Sequence, residues 1–144
     1  MERKRFKKIS VVVALLGAFF MFGAGADKAQ ALTDSEYYAI VAGFYQGVGE
    51  EYAVSAWIYG DVSYVYAAYQ YFYEASSWAY YAATYAYDYN TYDTAYTAYS
   101  YLNTAASYAY DGWYYDYSVY TEQAIYYGGL AAQSLAYTQY YASY

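Results

Sequence analysis

The stretch Tyr64-Val65-Tyr66-Ala67-Ala68-Tyr69-Gln70-Tyr71-Phe72-Tyr73-Glu74-Ala75-Ser76-Ser77-Trp78-Ala79-Tyr80 decides how the chain is to be read. An aromatic residue recurs at 64, 71 and 78, and tyrosine recurs at 66, 73 and 80. Two interleaved series thus share a spacing of seven and stand two residues apart. Followed outward, the first row holds Tyr38, Tyr45, Tyr52, Tyr59, Tyr66, Tyr73, Tyr80 and Tyr87, misses only at Thr94, and resumes at Tyr101, Tyr108 and Tyr115. The second row holds Trp57, Tyr64, Tyr71, Trp78, Tyr85, Tyr92 and Tyr99, misses at Ala106, and resumes at Trp113, Tyr120 and Tyr127. The position before the second row is mostly small, as at Ala42, Gly49, Ala56, Ser63, Ala98, Ala105 and Gly112. Repeats of this kind take precedence over other sequence signals, because they state the architecture directly.

A period of seven fits two helical turns of about 3.5 residues. Alanine occurs 21 times after residue 31, proline is absent, and residues 61–111 contain no glycine, all of which favours helix. The fold expected is all-α, built of Ala/Tyr-rich heptad-repeat helices packing on two faces. Two positions apart on a helix is about 200°, so the rows line opposite sides, and an isolated pair cannot bury both; each helix asks for neighbours on either side. The alternative is a β-rich repeat assembly, since Tyr69-Gln70-Tyr71-Phe72-Tyr73 and Tyr85-Ala86-Tyr87-Asp88-Tyr89 alternate with period two. Against it, an odd repeat flips the exposed face at each copy unless a turn intervenes. Breaks at Gly60-Asp61, Asp88-Tyr89-Asn90-Thr91, Asp111-Gly112 and Gly128-Gly129 predict helices over 35–59, 62–88, 92–110, 113–127 and 130–143. Because the register survives these breaks, one long rod is the other helical option. Three regions follow: 1–31, a repeat region over 32–127, and a capping segment over 128–144 where the pattern weakens.

The first region differs in kind. Met1 to Lys8 is basic, Ile9 to Phe22 is apolar, and Ala29-Gln30-Ala31 ends a small-residue segment. This resembles a secretory signal peptide, with cleavage expected after Ala31 or Ala26. An uncleaved anchor, the one route to a membrane, is the alternative, as Ile9 to Ala26 sits at the short end of a spanning helix. A secreted, extracellular or cell-surface protein is expected.

Charge sharpens the picture. All six basic residues (Arg3, Lys4, Arg5, Lys7, Lys8 and Lys28) precede position 32, whereas 11 of the 13 acids follow it. The chain beyond the leader therefore has no side-chain ion pair to make, and nucleic acid is excluded as a partner because its phosphates are bound through Lys and Arg. Divalent cations could relieve the mutual repulsion of the carboxylates, and Asp88, Asp93, Asp111 and Asp116 are the acids considered for this.

Catalysis finds few tools. Without cysteine or histidine there is no disulfide, no Cys/His metal or haem site, and no thiolate or imidazole chemistry. Glu50-Glu51 is the one adjacent carboxylate pair, but neighbours on a helix diverge by about 100°, and both are read as solvated. Gly47-Val48-Gly49 lacks the lysine and third glycine of a phosphate loop. No cofactor and no enzyme activity are expected. With 31 tyrosines in 144 residues, more aromatic surface is present than one small core needs, and exposed aromatic surface implies contact. The leading expectation is a non-enzymatic structural protein that self-associates through its tyrosine rows in a surface layer, filament or matrix, its phenols open to oxidative cross-linking. A binding module that stacks rings on carbohydrate or apolar ligands is the first alternative, with Trp57, Trp78 and Trp113 as its best candidates. Electron or radical transfer along the rows is the second.

Overall fold

Each helix begins and ends on residues suited to the task. Thr33 accepts a hydrogen bond from the Glu36 N–H at 3.1 Å and opens α1, Asp34–Tyr59. Gly60, at a φ of 72°, sends its N–H back to the Ala56 carbonyl at 2.7 Å and closes it. Asp61 then accepts from the Ser63 N–H and hydroxyl at 3.0 and 2.6 Å to start α2, Val62–Thr84. Asp88 does the same with Thr91, at 2.9 Å from the N–H and 2.6 Å from the hydroxyl, to start α3, Tyr89–Tyr114. These bonds hold the Asp88 carboxyl below the usual carboxylate range, the Thr91 hydroxyl contributing most. A tight turn through Asp116, whose φ of 48° is left-handed, leads to α4, Ser118–Ala142.

The computed structural model describes residues 32–143; the leader expected over 1–31 lies outside the described residues. Consecutive helices pack against each other, α1 packs against α4, and the diagonal pairs scarcely meet. With such short turns this is an up-down-up-down four-helix bundle. The described residues contain no strand, so the all-α expectation holds and neither the β assembly nor the single rod is seen. Three expected boundaries are corrected. Helix α2 ends at Thr84 rather than at 88, and α3 begins at Tyr89 rather than at 92, because Asp88 caps α3. Helix α3 runs through Asp111-Gly112 to Tyr114, and α4 runs unbroken through Gly128-Gly129, joining the segments expected as 113–127 and 130–143.

Alanine makes most of the core. Ala39, Ala53, Ala68, Ala75, Ala95, Ala105, Ala131 and others are fully covered, and Phe72, Leu102, Ile125 and Leu135 are the large apolar side chains among them. Small side chains on facing helices let the axes approach closely. Phe72 fills the middle: a Cβ added to Gly49 on α1 would meet its ring at 2.9 Å, and one added to Gly128 on α4 would meet it at 3.0 Å. That is why the two glycines sit inside helices despite a propensity cost of about 1 kcal/mol each.

The buried face changes side at every turn of the chain. On α1 the residues just after the first row, Ala39, Gln46 and Ala53, are buried; on α3 the same is true of Ala95, Leu102 and Ala109. On α2 the buried residues are those just before the row, Val65, Phe72 and Ala79, and on α4 Thr121, Gly128 and Leu135. Tyr37, Phe44 and Ile58, which precede the row on α1, are exposed, as is Tyr81, which follows it on α2. The geometry explains this. Rows about 200° apart one way are about 160° apart the other, so two bisectors exist, and both carry small residues. Reversal of chain direction exchanges them, while the first row of each helix still faces the next helix.

Candidate functional site

Three of the four seams between neighbouring helices are filled by the two rows meeting each other. Between α1 and α2, Tyr52 stacks on Tyr71 at 5.5 Å and 13°, Tyr45 stacks on the same ring at 6.2 Å, and Tyr52 meets Tyr64 at 5.9 Å. Further along, Tyr38 stacks on Trp78 at 5.7 Å and lies 5.3 Å from Tyr85. Burial pushes the Tyr38 phenol above its ordinary value, with Tyr85 adding to the effect. Between α2 and α3, Tyr66 meets Trp113 at 4.8 Å and Tyr80 meets Tyr99 at 5.4 Å. Between α3 and α4, Tyr108 stacks on Tyr127 at 5.7 Å and 10°, with Tyr101 and Tyr120 beside the pair at 6.1 and 6.2 Å. Offset and edge-on ring pairs at such spacings add about 0.5–1.5 kcal/mol each beyond the area they cover.

The rows thus meet one another between neighbouring helices of the same chain. Tyr73 and Tyr92 sit at the rims, the one 6.3 Å from Tyr69 and the other stacked on Tyr96 at 5.8 Å. Tyr59 and Tyr87 stand outside the seams at helix ends, 77% and 89% exposed. Sequence reasoning missed Tyr69, Tyr96 and Tyr110, which belong to neither row yet meet row members at i,i+3 or i,i+4 spacing, and Tyr114, which touches Trp113 of one row and Tyr115 of the other.

The fourth seam, between α4 and α1, is different in chemistry. Here the first row of α4 reads Glu122, Gly129 and Ala136, and the second row of α1 reads Glu36, Gly43, Glu50 and Trp57. Trp57 is buried and donates from Nε1 to the Glu122 carboxylate at 2.7 Å. Gln46 donates from Nε2 to the Gly128 carbonyl at 3.0 Å and to Glu50 Oε2 at 3.5 Å. Thr33 donates to the Ala142 carbonyl at 3.3 Å, at the far end of the seam. Glu50 and Glu51, expected as a solvated pair, are separated by the helix: Glu51 faces out and Glu50 is buried at 3% exposure. Burial raises the Glu50 carboxyl well above the usual range, and the Gln46 hydrogen bond only partly opposes this. Its Oε1 has no hydrogen-bond partner, which fits a protonated, neutral side chain in an apolar setting.

Ligand-binding features are modest. The three indoles lie in three different seams, Trp57 in α4/α1, Trp78 in α1/α2 and Trp113 in α2/α3, so they do not line one groove. An open groove of about 610 Å³ near the α1–α2 turn is lined by Tyr52, Tyr59, Tyr64, Glu51 and Asp61, among others. Among the described residues no three acids gather into a group able to hold a metal ion, and no helix is long and apolar enough to cross a membrane. Comparison of the chain with protein-family models, with curated proteins and with solved structures gives no match, so the reading of function rests on the seams and on what they leave exposed.

Proposed function

We propose that the chain is an exported, non-enzymatic structural protein that self-associates in an extracellular layer, filament or matrix and is open to cross-linking through tyrosine. The observation that carries this reading is what remains outside once the seams are filled. Phe44 at 65%, Tyr137 at 60% and Ile58 at 44% exposure stand on the outer surfaces of α1 and α4. Ile40, Val41, Val48 and Leu130 are half-covered on the same two helices. The outer surfaces of α2 and α3 instead carry Gln70, Glu74, Asp93, Ser100 and Ser107 among their phenols. Exposed apolar surface of this kind is a contact surface, and residues 32–143 carry no lysine or arginine to oppose its burial.

Sedimentation velocity on the exported protein over a hundredfold range of concentration tests the reading. Assembly that grows with concentration and is abolished by Phe44→Ser with Ile58→Ser is the expected result; a monomer throughout overturns it. A second reading, a module for small ligands, is favoured by the groove at the α1–α2 turn. Its three phenols beside the Glu51 and Asp61 carboxylates suit an organic cation better than a neutral sugar.

A further inference from the structure

The ring contacts do not stop at each seam. Starting on α2, Tyr69 lies 5.7 Å from Tyr66 and 5.3 Å from Tyr110 on α3, while Tyr66 lies 4.8 Å from Trp113. Trp113 and Tyr110 both pass to Tyr114, at 6.4 and 6.2 Å. Tyr114 meets Tyr115 edge-on at 4.9 Å, and Tyr115 reaches Tyr120 on α4 at 6.2 Å. From Tyr120 the run continues to Tyr108 at 6.2 Å and from Tyr108 to Tyr127 at 5.7 Å, with a branch from Tyr120 to Tyr117 at 5.4 Å. One unbroken path of oxidisable rings therefore crosses three helices. It opens most at the α3–α4 turn, beside the left-handed Asp116, where Tyr114, Tyr115 and Tyr117 are exposed at 64%, 63% and 53%; at the opposite end Tyr73, 6.3 Å from Tyr69, is a single exposed ring at 58%.

We infer that this path is a one-electron relay whose outlet is the α3–α4 turn, where Tyr114, Tyr115 and Tyr117 couple oxidatively to tyrosines of a second copy. Only the coupling between copies rests on the proposed structural role; the relay is a property of one chain. The reagent consumed is a one-electron oxidant, such as a peroxidase intermediate or a photogenerated metal complex. Each oxidant molecule takes one electron from a phenol, whose proton leaves to water. A phenoxyl regains an electron and a proton as its neighbour loses the same, so a hop conserves both. Two phenoxyls then form an ortho carbon–carbon bond, and the two ring hydrogens shift to oxygen and restore both phenols. The sum is two phenols giving one dityrosine, two electrons and two protons, with two oxidant molecules each reduced once. A ring that is covered along its length can hold a radical but cannot meet another chain, so coupling is confined to rings at the surface.

Exposure alone predicts a different outcome. Tyr87, Tyr59 and Tyr89 are exposed at 89%, 77% and 74%, more than any ring at the turn. The protein is oxidised with a photogenerated ruthenium(III) complex at less than one equivalent per chain, and dityrosine peptides are mapped by mass spectrometry on an equal mixture of ¹⁴N and ¹⁵N chains. Dityrosine enriched about threefold or more at the turn over Tyr59, Tyr87 and Tyr89 is expected; yields that follow exposure overturn the relay. Tyr120→Phe keeps the ring and the packing but removes the oxidisable link, and coupling at Tyr117 is expected to fall about threefold or more. Unchanged coupling at Tyr117 in that variant overturns the relay even if the first result stands. Tyr92→Phe, which removes an exposed phenol away from both the path and the proposed contact surface, leaves the pattern as it was. Products at the turn that join only residues of one chain refute the contact between copies and retain the relay.

Discussion

The α1/α2, α2/α3 and α3/α4 seams hold ring-on-ring contacts of phenols and indoles, whereas the α4/α1 seam holds glycines, alanines and carboxyl groups around the single indole of Trp57. The contrast comes from the two ends of the repeat. The second row has no aromatic ring on α1 before Trp57, and the first row has none on α4 after Tyr115. Those two defective half-rows are the ones that face each other. An aromatic edge would pair with any other aromatic edge, including that of another chain; an edge of Glu50, Gln46 and Gly128 fits only its own complement. The closing seam thus sets which helices are first and last, while the aromatic seams join the remaining neighbours through half-covered rings.

Substitutions can break either kind of seam. Gly128→Ala places a Cβ against the Glu50 carboxyl and the Phe72 ring, and is expected to lower unfolding free energy by about 2–4 kcal/mol in urea titrations followed by circular dichroism. Gly47→Ala, on the open side of α1 with nothing within 4 Å, should instead raise it by up to about 1 kcal/mol. If both substitutions destabilise alike, the closing seam is not the tight one. In the aromatic seams, Tyr108→Ala removes a ring stacked on Tyr127 and beside Tyr120, with a loss of about 2 kcal/mol expected in the same titration.

The contrast between the seams also shows through pH. Glu50 has its carboxyl raised in the fold, so between the ordinary value of about 4.3 and its own raised value the folded state holds one proton more than the unfolded state. Stability from this group is therefore greatest in acid and falls as pH rises through that window. Glu50→Gln should stabilise the bundle at pH 8 and leave it unchanged at pH 4, as read from thermal melts; an equal shift at both pH values would mean that Glu50 is not protonated in the fold. The Asp88 cap acts with opposite sign, supporting α3 above the ordinary carboxylate value and losing its contribution as pH falls.

Much of this architecture was legible. The seven-residue period announced helices, and Gly60-Asp61 marked the first turn where it occurs; Asp88 signalled the second, which lies just before it rather than over 89–91. What could not be read was which flank of each helix turns inward, because Ala42, Gly49 and Ala56 on one bisector look no smaller than Ala68, Ala75 and Ala82 on the other. Gly128-Gly129 carries the same letters as a break, and only the Phe72 ring and the Glu50 carboxyl above it reveal a close approach. Glu50 itself looked solvated for want of any local sign of burial. The rows were seen, but a pattern cannot say whether its complement lies in the same chain.

The exchange of inward flanks has a further consequence for how the molecule meets its surroundings. Seen from the bundle axis, the rows on α1 and α3 subtend the narrower angle and lean inward, and Tyr38, Tyr45, Tyr52, Tyr99, Tyr101 and Tyr108 are half-covered. On α2 the wider angle tips them away, and Tyr64, Tyr66, Tyr73 and Tyr80 are open to water. An identical heptad thus yields shaded phenols on one helix and sunlit ones on the next, and a hydroxyl-directed label would paint α2 while leaving most of the rows on its two neighbours blank.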